Sequence, residues 1–263
     1  MAISLDELIQ NAVHYGHRTN KWDPRMKPYL YGSVNGIHLF DLEQTKTQLE
    51  KLVAFLTKSV QEGKQILFVS TKPQTMEMIP EIAAIHGSPY VTKKWFGGLL
   101  TNFDTMKERI RYFKNLKEQQ TTGELEKFTK KEQVKMLKEI NKLEGALGGI
   151  QSLRRPPQVL FVVDGKRDLI AIKEARKLKI PVVGFCDSNA DPRLYDLMVP
   201  ANDDAMKSLT YLLNLVKETL TAVAPARPAQ GAPAAKAQAK PAPAKSHLDN
   251  PLAKKPETKP AAA

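Results

Sequence analysis

Gln65-Ile-Leu-Phe-Val-Ser70 and Val159-Leu-Phe-Val-Val163 are continuous apolar runs, short and rich in β-branched and aromatic residues. Such runs read as strands buried on both faces, as in a parallel sheet covered by helices. The signal repeats outward from them. Residues 37–42 read as a strand, and a helix over 44–61 puts Leu49, Leu52, Val53, Leu56 and Val60 on one face. A helix over 73–86 follows the 65–70 strand, and Tyr90-Val91 begins another. After 159–163 come a helix over 169–178, strands at Val182-Val-Gly-Phe185 and Leu197-Met-Val199, and a helix over 203–223 with Asn202 as its cap. Buried strands alternating with amphipathic helices predict an α/β fold, doubly wound around a mostly parallel sheet. Upstream, 3–13 reads as a short helix with Ser4 as cap and Glu7 three residues later, and 14–28 as a polar loop.

The alternation is interrupted over 103–149. Phe103, Met106, Ile110, Phe113 and Leu116 recur at helical steps, and Val134, Leu137, Ile140, Leu143 and Leu147 do so after a polar break at Thr121-Thr122-Gly123. This predicts an antiparallel helical hairpin, a coiled-coil insertion joined along one narrow seam. It either projects from the sheet domain with its basic faces outward or folds back on the core. The expected organisation is an α/β core over 1–102 and 150–224, the hairpin over 103–149, and an Ala/Pro/Lys tail over 225–263. Eight prolines and no aromatic residue predict a disordered, semi-extended tail.

The 263 residues carry 40 Lys+Arg against 28 Asp+Glu, a net charge of +12, with 42% hydrophobic residues. The tail holds seven basic and two acidic residues, so +5 belongs to it and +7 to the rest. An excess of this size favours a polyanionic partner. The lone cysteine, Cys186, excludes an intramolecular disulfide and a cysteine zinc cluster, and it fits a reducing compartment. Without an apolar run of membrane-spanning length or a secretory pattern, a soluble cytoplasmic protein is expected, with no membrane partner.

Enzymatic motifs are missing. There is no G-x-G-x-x-G, no P-loop and no G-x-S-x-G elbow, which speaks against the rival reading, a nucleotide- or sugar-phosphate-binding enzyme on the same sheet, and no small-molecule substrate is expected. Asp164-Gly-Lys166 reads as a strand-to-helix turn, and Thr71-Lys72-Pro73 could hold a small anion at a helix N-terminus. Cys186 reads as a buried structural thiol. His17, Asp187 and Asp203 share an edge if the strand ends align, and they could surround a structural Zn2+; the aspartates could equally cap helices and make turns.

The strongest chemical signal is basic and aromatic residues interleaved in loops: Arg18, Lys21, Trp22, Arg25 and Lys27, then Lys93, Lys94, Trp95 and Asn102 around Gly97-Gly98. Cations neutralise phosphates, aromatic faces stack on unpaired bases, and glycines let a backbone approach closely. Each tryptophan could instead plug the core.

At these residues the chain resembles a known family. His14-Tyr-Gly-His17, Trp22-Asp-Pro-Arg-Met-Lys-Pro-Tyr29, Asn35-Gly-Ile-His38 and Trp95-Phe-Gly-Gly-Leu-Leu-Thr-Asn102 are similar to signatures of the second protein of the bacterial small ribosomal subunit. Val162-Val-Asp164, Glu174-Ala-Arg-Lys-Leu178, Asp187-Ser-Asn-Ala-Asp-Pro192 and Pro200-Ala-Asn-Asp-Asp-Ala205 resemble its C-terminal half. The resemblance runs in order from about residue 3 to 223. Ala12-Val13 and Arg155-Pro156-Pro157 depart from the common pattern. The resemblance implies a flavodoxin-like domain with an inserted hairpin and no enzymatic activity. It implies binding to small-subunit rRNA between head and body, beside other subunit proteins, and help in recruiting the large mRNA-binding first protein. The loops above and hairpin residues Lys107, Arg109 and Arg111 are its RNA-facing candidates. Trp22 and Trp95 either stack on bases or brace the loops.

Overall fold

The structure, a computed structural model, describes residues 3–223. The expected disordered tail over 225–263 lies outside the described residues.

In chain order the helices are α1 (Leu5–Gln10), α2 (Leu42–Gln61), α3 (Met78–His86), α4 (Phe103–Thr121), α5 (Lys130–Leu147), α6 (Leu169–Lys177) and α7 (Met206–Val223). The strands are β1 (Tyr15–Arg18), β2 (Leu30–Val34), β3 (Ile37–Phe40), β4 (Ile66–Val69), β5 (Tyr90–Val91), β6 (Val159–Val162), β7 (Val182–Cys186) and β8 (Leu197–Pro200). The two apolar runs form neighbouring parallel strands, β4 and β6, in register from Ile66–Val159 to Val69–Val162. The five parallel strands follow the order β5-β4-β6-β7-β8, the flavodoxin-like winding. Every residue of β4, β6 and β7 is buried, which is why these strands carry no polar alternation.

Successive side chains serve opposite faces. Ile66, Phe68, Val159, Phe161, Val183 and Phe185 pack with the apolar faces of α2, α3 and α7. Phe161 stacks between Phe68, with centroids 5.3 Å apart, and Phe185, edge-on at 5.5 Å. On the other face, Leu67, Val69, Leu160, Val162 and Val182 meet Ala171, Ile172 and Ala175 of α6. One short helix cannot cover five strands. Trp95, Leu99 and Leu100, together with Met106, Ile110, Leu147 and Ile150 from the roots of α4 and α5, complete that layer.

Several expectations change. The segment over 14–28 is more than a loop: β1, β3 and β2 form a separate antiparallel sheet, so the 37–42 strand is outside the parallel sheet. Its strands are short and half exposed, giving little apolar signal. Asn35 and Gly36, both left-handed at φ 50° and 74°, turn the β2–β3 hairpin. Ser4 caps α1 by accepting from the Asp6 amide, while Glu7 instead accepts from the Tyr211 hydroxyl at 2.9 Å. The last helix starts at Met206, because the Asn202 side chain accepts from Asp204 and Ala205 amides in a turn before it. The hairpin helices pair, with Lys117 bonded to Glu144 at 2.8 Å, and the α5 seam departs from expectation only at its N-terminal end. Val134 and Leu137 are 52% and 38% exposed, whereas Met136, Ile140, Leu143 and Leu147 face the cluster. At that end Met136 takes the inward place expected of Leu137, one residue and about 100° round the axis.

Candidate functional site

The candidate site is built where the antiparallel sheet docks on the C-terminal ends of β7 and β8. The Ser188 hydroxyl accepts from the His17 amide at 2.7 Å, and the Ser188 carbonyl accepts from the Asp23 amide at 2.7 Å. Asn202 ties down the preceding turn, its side-chain amide donating to the Ala12 carbonyl at 3.0 Å. His17 is thereby aimed at the strand ends. Its Nδ1 lies 3.0 Å from Asp187, and its Nε2 lies 3.2 Å from Asp204 and 2.7 Å from the Asn189 side chain. The hydrogen bond to Asp187 raises the His17 pKa above its ordinary value against the opposing effect of burial.

The expected metal set is corrected in one member. His17, Asp187 and Asp204 offer ligand atoms within 4.8 Å of one another. Asp203 turns away, because the Lys72 ammonium holds its carboxylate at 2.6 Å. The set does not complete a structural Zn2+ site: with one ring nitrogen held by Asp187, His17 and Asp204 supply two ligands where a closed tetrahedral site needs four, and Lys72 already pairs with Asp204 at 2.7 Å. One Asp203 oxygen is buried without a hydrogen-bond partner, and the other takes the Lys72 ammonium.

Lys72 fills the switch point of the sheet, between the ends of β4 and β6. It is 5% exposed and reaches Asp164 at 3.1 Å and Asp204 at 2.7 Å besides Asp203. The Thr71 amide donates to Asp168 at 3.1 Å. The cation and amide that would have made Thr71-Lys72-Pro73 an anion site are therefore engaged by the protein's own carboxylates. Burial pushes the Asp203 carboxyl well up, reinforced by Asp187 and Asp164. Cys186 is buried beside Met26, and burial raises its thiol pKa far above the ordinary value, so it is inert.

The basic loops sit beside this core. Arg18, Lys21, Lys27, Lys93, Lys94, Asn102, Lys107, Arg109 and Arg111 are exposed. Among the described residues, none of these cations lies within 4.0 Å of a carboxylate. Arg25 differs, since Asp23 at 3.2 Å and Asp191 both hold its guanidinium. Trp22 is half-buried against His38, with ring centroids 4.7 Å apart. Trp95 is buried, and its indole N–H donates to Glu174 at 3.0 Å, which leaves no open face for a base.

A family model for ribosomal protein S2 matches residues 8–222. The chain belongs to the ribosomal protein S2 family. It is 44% identical over 207 residues to the small ribosomal subunit protein uS2 of Roseiflexus sp. (strain RS-1), covering 79% of each chain. With the uS2 of Mycolicibacterium vanbaalenii it shares 40% over 237 residues, 90% of this chain and 87% of that one. With that of Maridesulfovibrio salexigens it shares 44% over 207 residues, 79% and 80% of the two chains. A member of this ribosomal protein family is a structural protein and not an enzyme. No helix among the described residues is long and apolar enough to cross a membrane.

Sequence reasoning passed over Ser188 and Glu174 as site residues, read Lys72 as an anion contact, and chose Asp203 where the structure turns Asp204 towards His17. A signal existed for Glu174, an acid on the apolar face of a helix beside Ala171, Ile172 and Ala175. For Asp203 and Asp204 there was none, since adjacent acids in a turn differ only in direction.

Proposed function

We propose that this S2-family chain is a structural constituent of the small ribosomal subunit, bound to the ribosome in the cytoplasm. It binds small-subunit rRNA between head and body, beside other subunit proteins, and helps recruit the large mRNA-binding first protein. The observation that carries this reading is the family match over 8–222, with relatives named as small-subunit proteins. The exposed, carboxylate-free cations support it, because such side chains are available for phosphate neutralisation.

In this reading Arg18, Lys21 and Lys27 form one RNA-facing group, and Lys93, Lys94, Asn102, Lys107, Arg109 and Arg111 another. Arg25 orients its loop through Asp23 and Asp191, Trp22 packs beside the first group, and Trp95 braces the second. Residues 103–149 act as an inserted hairpin within the core formed by 1–102 and 150–224.

Sedimentation of a cell lysate through a sucrose gradient, blotted for the chain, tests the central claim. Co-migration with small subunits is expected, and a pool confined to the top of the gradient would refute it.

A further inference from the structure

Glu174 lies on the sheet-facing side of α6 and is 8% exposed. A carboxylate buried there is tolerated only when its lone pairs are filled. One oxygen accepts from Trp95 Nε1 at 3.0 Å and the Gly98 amide at 2.8 Å. The other accepts from the Leu100 amide at 3.0 Å, the Thr101 amide at 3.2 Å and the Thr101 hydroxyl at 3.3 Å. All five donors come from one irregular segment, Trp95 to Thr101, with no strand ladder of its own. Gly98, left-handed at φ 86°, lets its amide turn inward. Backbone amides curled in this way form an anion-binding nest. Here the anion is a side chain of the same protein.

The segment is bracketed by cations and polar groups. Lys93 and Lys94 precede it, exposed, and the Lys93 stem lies along Gly145 of α5. Asn102 follows, its amide donating to the Gly98 carbonyl at 2.8 Å where α4 begins. Whatever fixes 95–101 therefore fixes where Lys93, Lys94 and Asn102 stand. An acid in an RNA-binding surface ordinarily repels phosphate, but this one is enclosed by its donors.

We infer that Glu174 is a positioning residue for RNA binding: its buried carboxylate is the internal anion on which the 95–101 segment folds, and it holds Lys93, Lys94 and Asn102 in place to meet phosphates. This rests on the proposed RNA-facing role of 93–102.

The test uses the full chain and small subunits washed free of their resident copy. Glu174→Gln keeps the volume, removes the charge and replaces one acceptor oxygen by an NH2 that faces two donors. Amide exchange at Gly98, Leu100 and Thr101 is expected to quicken at least tenfold, while exchange in β4 and β6 stays unchanged. Affinity is expected to fall about tenfold at fixed salt, with a shallower salt dependence as the lysines lose their fixed phosphate partners. Trp95→Phe and Thr101→Val each delete one donor and are expected to give smaller losses in the same direction, which keeps the test decisive if Glu174→Gln does not fold. Unchanged exchange, or a loosened segment with affinity within twofold of the parent, overturns the positioning role. Lys93→Ala with Lys94→Ala separates the underlying reading: loss of affinity there supports it, and no loss overturns the RNA-facing role itself.

Discussion

Replacing Lys72 by alanine removes an ammonium that Asp164, Asp203 and Asp204 share at 3.1, 2.6 and 2.7 Å. Asp203 is 1% exposed and Asp164 is also buried, so two of the three carboxylates would be left in a dry site without their counter-charge. Asp204 is largely exposed and adds little. Orphaning a buried charge typically costs ~3–5 kcal/mol. For a fold of this size that lowers Tm by roughly 10 °C. The loss depends on pH. Burial would drive the Lys72 ammonium towards its neutral form, but the pull of Asp203 outweighs it and the pKa ends above 10.5. In the parent this contribution is complete below the ordinary lysine value and fades as pH rises through the folded one. In the variant, burial and the neighbouring Asp187 and Asp164, which raise the Asp203 carboxyl, are no longer opposed by Lys72. The folded state then binds more protons than the unfolded state, so the deficit shrinks as pH falls. Urea unfolding of parent and Lys72→Ala at pH 8 and pH 5 measures both effects, and Lys72→Met separates charge from volume. A loss below about 1 kcal/mol at pH 8, where ~3–5 is expected, would refute the argument. So would the same loss at both pH values.

Three further outcomes are expected. The His17 ring should titrate above 6.5, because its hydrogen bond to Asp187 outweighs burial; the stability it adds is complete below the unfolded value and disappears as pH rises through the folded one. NMR titration reads this directly, and metal analysis of the purified chain and of His17→Ala reports whether Zn2+ depends on the same residue. Arg18→Glu and Lys21→Glu should each lower the log–log salt slope of subunit binding by roughly one, and Arg25→Glu by less, since Asp23 and Asp191 already hold that guanidinium. Ile140→Ala, at a site 4% exposed, should cost ~2–5 kcal/mol in urea unfolding. Val134→Ala, 52% exposed, should cost within about 0.5 kcal/mol, and equal losses would place the seam wrongly.

What could be read from the chain followed from strong local periodicity. Strands β4, β6 and β7 are buried at every position, so their apolar runs alone predict a covered parallel sheet. Helices α2 and α7 showed themselves by their apolar faces for the same reason. The antiparallel sheet was harder to read. Its strands are four or five residues long and half exposed, and hydrophobic pattern carries little information there. The α5 seam was legible at Ile140, Leu143 and Leu147, while at its N-terminal end Met136 and Leu137 are both apolar and only packing selects Met136.

The chain by itself determined the α/β class, the two helices of the 103–149 segment, and the loops that carry the basic residues. These follow from periodicity and residue type, both local in the sequence. Tertiary structure decided the direction of each charge: Asp204 rather than Asp203 beside His17, Lys72 turned into an acid cluster, Arg25 held between carboxylates. It also turned Trp95 inward onto a glutamate 79 positions away. The physical reason is that a charge takes its role from its partners, and those partners are brought together by strand order and packing, not by neighbouring positions in the chain.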